Sequence, residues 1–292
     1  MSRRTLKLLL VGFLVVNLFI LWIGLSHRTK ELRVTFLDVG QGDACVIESP
    51  SGAVLLIDAG GVSLESQEDE GRRTIAPFLR SRGINHIDAL ILTHPHADHI
   101  GGAKTLLDQF SVGALIDNGQ DPENPIVSPI LASAIKHHAT YQKAERGMEL
   151  DFKDGVKARI LAPTPTECET ESPNNASVVL SLTYGNTRFL FTGDAEQFEE
   201  EDLERSGEKF DAQVLKVGHH GSHTSTTPRF LSTVHPNFAV ISVGAHNRHG
   251  HPAPEVIERL QQSGVTTFRT DRTGAVVCHS DGVQLRFETV RK

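Results

Sequence analysis

Four side chains able to bind a metal ion, His94, His96, Asp98 and His99, fall within six residues of this 292-residue chain, directly after the run Asp88-Ala89-Leu90-Ile91-Leu92-Thr93. That run is short, apolar and partly β-branched, as a strand buried on both faces should be, and Pro95 breaks it. The ligands therefore sit at a strand's carboxyl end. Histidines two apart in an extended or tightly looped backbone can turn both imidazoles onto one ion, while Asp98 and His99 face a second point nearby. Neutral imidazole with carboxylate suits zinc, manganese or iron. The bland alternative is a histidine-rich surface loop that binds metal adventitiously. An Asp at this spacing and a second histidine cluster downstream speak against it.

That second cluster, Gly218-His219-His220-Gly221-Ser222, closes another apolar strand, at 212–217. Glycine on both sides permits close backbone approach to a ligand. His219 is expected to complete a second metal site with Asp98 and His99. The alternative is that His220 is the ligand and its neighbour a substrate group, because adjacent residues seldom both reach one ion. Ser222, Thr224 and Ser225 are hydroxyls suited to phosphate oxygens, or else ordinary loop polarity. Asn247 and His251 follow a further strand and can stabilise a charged intermediate or protonate a leaving oxygen, with Pro252 fixing the loop; a satisfied structural histidine is the competing reading.

The pattern His94-x-His96-x-Asp98-His99 resembles the signature of the metallo-β-lactamase superfamily. Leu55-Leu56-Ile57-Asp58-Ala59-Gly60-Gly61 resembles its first motif, in which Asp58 would brace the metal loop. Phe191-Thr192-Gly193-Asp194 resembles the motif whose Asp194 is shared by two metals. Four further runs are similar to one branch, the soluble domain of ComEC-type DNA-internalisation competence proteins: Phe36-Leu37-Asp38-Val39-Gly40-Gln41-Gly42-Asp43-Ala44, Asn174-Asn175-Ala176-Ser177-Val178-Val179-Leu180, Leu215-Lys216-Val217-Gly218-His219-His220-Gly221-Ser222 and Asn247-Arg248-His249-Gly250-His251-Pro252. The resemblance implies a metal-dependent hydrolase. Its ligands would be His94, His96, Asp98, His99, Asp194 and His219, with Asp98, Asp194 and His251 in catalysis and Asn174, Asn175, Ser177, His220, Ser222 and Asn247 against the substrate.

Many superfamily members place a third histidine on the first metal. Between His99 and Asp194 this chain has only His137 and His138, too early and in a helical-looking stretch, and the position shortly before Asp194 holds Asn174-Asn175. Asn offers a carbonyl oxygen, harder and weaker than imidazole. The expectation is one firmly held ion, or a pair of zinc or manganese ions whose first member is loose. His96 stands where many members of the branch carry Asp.

Elements must hold these groups. Strand-like runs fall at 32–38, 44–48, 54–58, 89–93, 114–117, 158–162, 178–184, 188–192, 212–217, 239–243, 266–269 and 275–279, and helical patterns at 74–81, 101–109, 129–137, 197–206, 228–233 and 254–263. Interleaved strands and helices give an α/β reading. The resemblance implies a four-layer αββα sandwich over 32–292. The segment 63–73 reads as a solvated loop.

Net charge is −7 with 39% hydrophobic residues, so the chain is no general basic nucleic-acid binder and any contact with DNA must be local to the metal cleft. Its three cysteines stand singly. Residues 1–31 form a separate segment: Arg3, Arg4 and Lys7 precede an apolar stretch at 8–25 interrupted only by Asn17, long enough to span a bilayer. An uncleaved single-pass anchor in the cytoplasmic membrane is expected, with the catalytic domain outside.

For this branch the resemblance implies a phosphodiester substrate such as DNA. The expected partners are that substrate, the membrane through the N-terminal helix and a separate membrane channel protein, since one span builds no pore. A hydrolase of a small ester, thioester or lactam is the alternative within the enzymes. A non-catalytic metal-binding module of a DNA-uptake apparatus is the alternative outside them.

Overall fold

The computed structural model describes residues 31–62 and 68–290. The expected anchor lies outside them, as does the first part of the polar loop at 63–73. That loop's end is helical, Gly71–Ile75 running into the helix Ala76–Ser81. No helix among the described residues is long and apolar enough to cross a membrane.

Strands β1 (Leu32–Phe36), β2 (Cys45–Glu48), β3 (Val54–Ile57), β4 (His86–Leu92), β5 (Ser111–Asp117) and β6 (Thr140–Lys143) lie side by side in one sheet. The chain then builds a second sheet from β7 (Glu149–Asp151), β8 (Val156–Ala162), β9 (Val179–Tyr184), β10 (Thr187–Phe191), β11 (Val214–Lys216), β12 (Phe238–Ile241) and β13 (Thr266–Arg269). It returns through β14 (Ala275–Ser280) and β15 (Leu285–Val290), with β14 pairing against β1. Both sheets are mixed in the same way. Neighbours from β1 to β3 and from β7 to β10 pair antiparallel, whereas β3 to β6 and β10 to β13 pair parallel.

Three apolar layers glue four structural layers. Phe36, Ile47, Leu55 and Ile91 meet Phe189, Phe191, Val214 and Val240 between the sheets. Leu79, Leu106 and Ile130 seat the helices Ala76–Ser81, Ala103–Gln109 and Val127–Lys136 on the outer face of the first sheet. Leu203, Phe230 and Leu260 do the same for Gln197–Ser206, Pro228–Val234 and Pro254–Gln262 on the second. In β4, Ile87, Leu90 and Leu92 face the outer layer while Ala89 and Ile91 face the inner one, which is why that strand reads as a continuous apolar run.

The expected strands are all present, with ends shifted by up to three residues. β6, β7 and β15 were not expected. Each lies at a sheet edge and is largely exposed, so it carries polar residues without a buried alternation. The helix Pro165–Thr170 was also not expected, although Thr164 and Glu167 form a reciprocal capping box at its start.

Candidate metal centre

The carboxyl ends of β3 and β4 meet those of β10, β11 and β12 at one end of the sandwich, where parallel strands leave a crevice for ligands. Asp58, one residue past β3, is buried in left-handed backbone (φ 59). One of its oxygens accepts from the Thr93 amide at 2.7 Å and the other from Thr93 Oγ1 at 2.9 Å. That second oxygen also lies 2.8 Å from His99 Nδ1. Asp58 thus ties the ends of β3 and β4 together and turns His99 Nε2 outward. His94 rests its Nδ1 on Thr93 Oγ1 at 3.0 Å, and its Nε2 lies 3.0 Å from Nδ1 of the exposed His96.

Asp194 follows β10 through Gly193, whose left-handed φ of 51° and 3.0 Å approach of an added Cβ to Thr93 leave no room for a side chain. The Asp194 amide donates to Ser177 Oγ at 3.2 Å. Ser177 is fully buried, so this hydroxyl, expected against the substrate, instead orients Asp194. Asp194 Oδ1 lies 3.2 Å from His99 Nε2, and Oδ2 lies 3.6 to 3.8 Å from the Nε2 atoms of His94, His219 and His220. Two donor groups share it, Asp43-His99-Asp194-His220 and His94-His96-Asp194, each with ligand atoms within 4.8 Å of one another.

At the end of β11, His219 and His220 are both left-handed (φ 48 and 53), and the rings part. His220 is the buried one. Its Nε2 lies 3.3 Å from His99 Nε2 and 3.3 Å from Asp98, and its Nδ1 is 3.0 Å from the Ser242 carbonyl. The ring that meets Asp98 and His99 is therefore that of His220, in place of the expected His219, and it is not open to substrate. Two successive left-handed residues swing the first ring to the cleft surface and the second inward. His219 is 23% exposed, with Nδ1 3.3 Å from Glu196.

Other expectations are also revised. Asn247 Nδ2 donates to the carbonyls of Gly244 and His251, and Oδ1 accepts from the amides of His249 and His251. It pins its own loop and has no bond to spare for substrate. Ser222 is buried and bonded to Thr224 Oγ1 at 3.0 Å. His251 packs its ring 5.6 Å from that of His219, and burial lowers its pKa to about 4, so it is neutral at pH 7. Asn174 Nδ2 reaches Glu196 at 3.5 Å, while Oδ1 of Asn174 and of Asn175 are buried without partners.

The donor set fits divalent metal. Buried Asp43, Asp58 and Asp194 and half-buried Asp98 surround two imidazole Nε2 atoms only 3.3 Å apart, and Oδ1 of Asp43 and of Asp194 lack hydrogen-bond partners. Such converging lone pairs and negative charge suit bound cations. Burial works against charge on His99, yet Asp194 and Asp58 hold its pKa well above the ordinary histidine value. Burial likewise opposes ionisation of Asp194, and His99 and His220 hold its carboxyl well below the usual range.

Three contributors went unassigned in the sequence. Asp43 faces His220 Nδ1 at 3.6 Å and forms a buried ion pair with Lys216. Glu196 Oε1 lies 3.3 Å from His219 Nδ1. A lysine within the apolar strand Val214–Lys216 signals a buried partner. Neither acid carries a comparable local signal.

Residues 37–246 match the family model of the metallo-beta-lactamase superfamily. The chain is 33% identical over 287 residues to ComE operon protein 3 of Bacillus subtilis, covering 94% of this chain and 36% of that protein. It is 34% identical over 248 residues to recombination protein 2 of Haemophilus influenzae, covering 84% and 28%. It is 30% identical over 250 residues to competence protein ComA of Neisseria gonorrhoeae, covering 85% and 32%. The chain thus spans about a third of the length of the curated relatives it matches. Among solved structures, Igni18, a metallo hydrolase of Ignicoccus hospitalis, superposes with TM-score 0.55 at 15% identity, covering 85% of this chain and 98% of that one. The diiron β-hydroxylase CmlA of Streptomyces venezuelae gives 0.54 at 13% identity, covering 89% and 54%. At such identities the likeness is one of fold. With its two mixed sheets and a histidine and aspartate cluster at their shared end, the chain belongs to the metallo-β-lactamase superfamily, as a metal-dependent hydrolase domain of the type carried by competence proteins.

Proposed function

We propose that this domain is a phosphodiesterase that cleaves DNA or another phosphodiester outside the cytoplasmic membrane. The observation that carries the reading is Asp194, which belongs to both donor groups and so brackets room for a pair of ions. Bound there, zinc or manganese would lower the pKa of water and neutralise charge on phosphoryl oxygens. The chain's own residues set the frame. Asp58 keeps the proton on His99 Nδ1, and the Ser242 carbonyl keeps it on His220 Nδ1, so both present Nε2 to the centre. Ser177 holds Asp194 in place. His251, neutral at the cleft edge, serves a leaving oxygen as a hydrogen-bond donor rather than as a standing imidazolium. The relatives named for competence support DNA as substrate, the apolar stretch at 8–25 supports attachment to the membrane, and a separate channel protein would complete an uptake apparatus.

The test is cleavage of single- and double-stranded DNA and of bis(p-nitrophenyl) phosphate by the purified chain with manganese, zinc or chelator, beside Asp98→Ala, His99→Ala and Asp194→Ala. Metal-dependent cleavage lost in those variants is the expected result. Bound metal with turnover of small esters, thioesters or lactams but of no phosphodiester would overturn it.

A further inference from the structure

The group His94-His96-Asp194 is one donor short of the four that a zinc site takes. Neither histidine between His99 and Asp194 comes to it. His137 pairs with Asp108 at 3.2 Å beside the outer helix Val127–Lys136, and His138 follows it there. Position 174 holds Asn, and its amide nitrogen turns to Glu196 at 3.5 Å.

Glu196 leads to another imidazole. The oxygen that Asn174 approaches also accepts from Thr224 Oγ1 at 3.0 Å and lies 3.3 Å from His219 Nδ1. Thr224 Oγ1 itself lies 3.4 Å from the same His219 Nδ1, and acceptors gathered on one ring nitrogen fix the tautomer and leave the other nitrogen free to coordinate. That free Nε2 lies 3.6 Å from Asp194 Oδ2, the oxygen that lies 3.8 Å from His94 Nε2. His220 is prepared in the same manner from the other side, with Nδ1 on the Ser242 carbonyl. The consecutive left-handed residues thus bring both rings to Asp194 Oδ2, His219 from the cleft surface at 3.6 Å and His220 from the interior at 3.8 Å.

We propose that His219 supplies the missing imidazole of the first ion site, and that Glu196, gripped by Asn174 and Thr224, is its positioning residue. The donor absent from position 174 is provided by the loop after β11, on the same Asp194 oxygen that His94 faces, and Asn174 serves it through Glu196. The inference rests on the two-ion reading above and is independent of the substrate.

Binding of manganese alone and of zinc alone to the full chain in detergent, read by calorimetry and by metal analysis after dialysis, tests it without reference to cleavage. The expected wild-type result is two ions per chain. His219→Ala should hold one, and the ion it keeps shows that the variant is folded. Glu196→Gln should weaken one site about 10- to 100-fold and leave the other unchanged. Adding Asn174→His to His219→Ala should restore the second ion. Two ions of unchanged affinity in His219→Ala would overturn the proposal, as would equal weakening of both sites in Glu196→Gln. A chain that binds metal as expected yet cleaves no phosphodiester would refute the function proposed above and leave this assignment standing.

Discussion

Lys216 of β11 and Asp43, two residues before β2, form a buried ion pair that joins the two sheets beneath the metal centre. Both are more than nine-tenths buried, and Lys216 Nζ also lies 3.4 Å from the Gly193 carbonyl, next to Asp194. Burial works against charge on Lys216, yet Asp43 and Asp194 raise its pKa above the ordinary lysine value. It is a fixed cation in a nest of carboxylates.

Removing one member of a buried pair strands the other. Lys216→Met should lower unfolding free energy by about 3–5 kcal/mol in urea titration. Lys216→Met with Asp43→Asn should recover much of that loss. A single variant as stable as wild type would show that Asp43 finds another counter-charge.

Asp58 holds Thr93 and His99 at once. Asp58→Asn keeps the shape and removes the charge that fixes the His99 tautomer. Metal affinity, read by competition with a chromophoric chelator, should fall roughly 10- to 100-fold while circular dichroism stays native.

Gly42 has φ +133, and a Cβ there would lie 2.2 Å from the Asp98 carbonyl oxygen, whereas Gly40 at φ +73 opens onto empty space. Gly42→Ala should cost about 1–3 kcal/mol in thermal unfolding and push Asp43 and Asp98 apart. Gly40→Ala should cost about 1 kcal/mol at most. Equal costs would contradict the crowding seen at Gly42.

Glu200 accepts from the amides of Thr226 and Thr227, but burial raises its pKa to about 7 from the model-peptide value of 4.5. Between those values the folded chain holds a proton that the unfolded chain has released. Stability attributable to this group is therefore intact below about pH 4.5 and declines as pH rises toward 7, by on the order of 3 kcal/mol. Unfolding of Glu200→Gln measured from pH 4.5 to 7.5 should show a shallower decline than wild type.

Strand β4 and the start of β11 were legible because a strand buried on both faces must be apolar throughout, and their loops because ligand types cluster there. The edge strands β6, β7 and β15 were not, since none of their side chains is buried to impose alternation, although the edge strand β13 was legible. The choice between His219 and His220 turned on two left-handed residues in succession, a conformation that neither side chain advertises. Ser177 and Asn247 were read as facing substrate because a hydroxyl and an amide can serve backbone or ligand alike. Only the packed chain shows that backbone takes them. Glu196 is one acid among many on a polar helix start, and it gains meaning solely from what β11 brings beside it.

The polarity of β1 carries a last consequence. Leu32 pairs with Ser280 at one end of the strand, and Phe36 at the other leads on to Asp43 at the metal centre. Five extended residues span roughly 17 Å, so residue 31 leaves the sandwich from the pole opposite the histidine and aspartate cluster. Anything that grips the chain ahead of residue 31 holds the domain by its base. The histidine and aspartate cluster then looks away from the point of attachment.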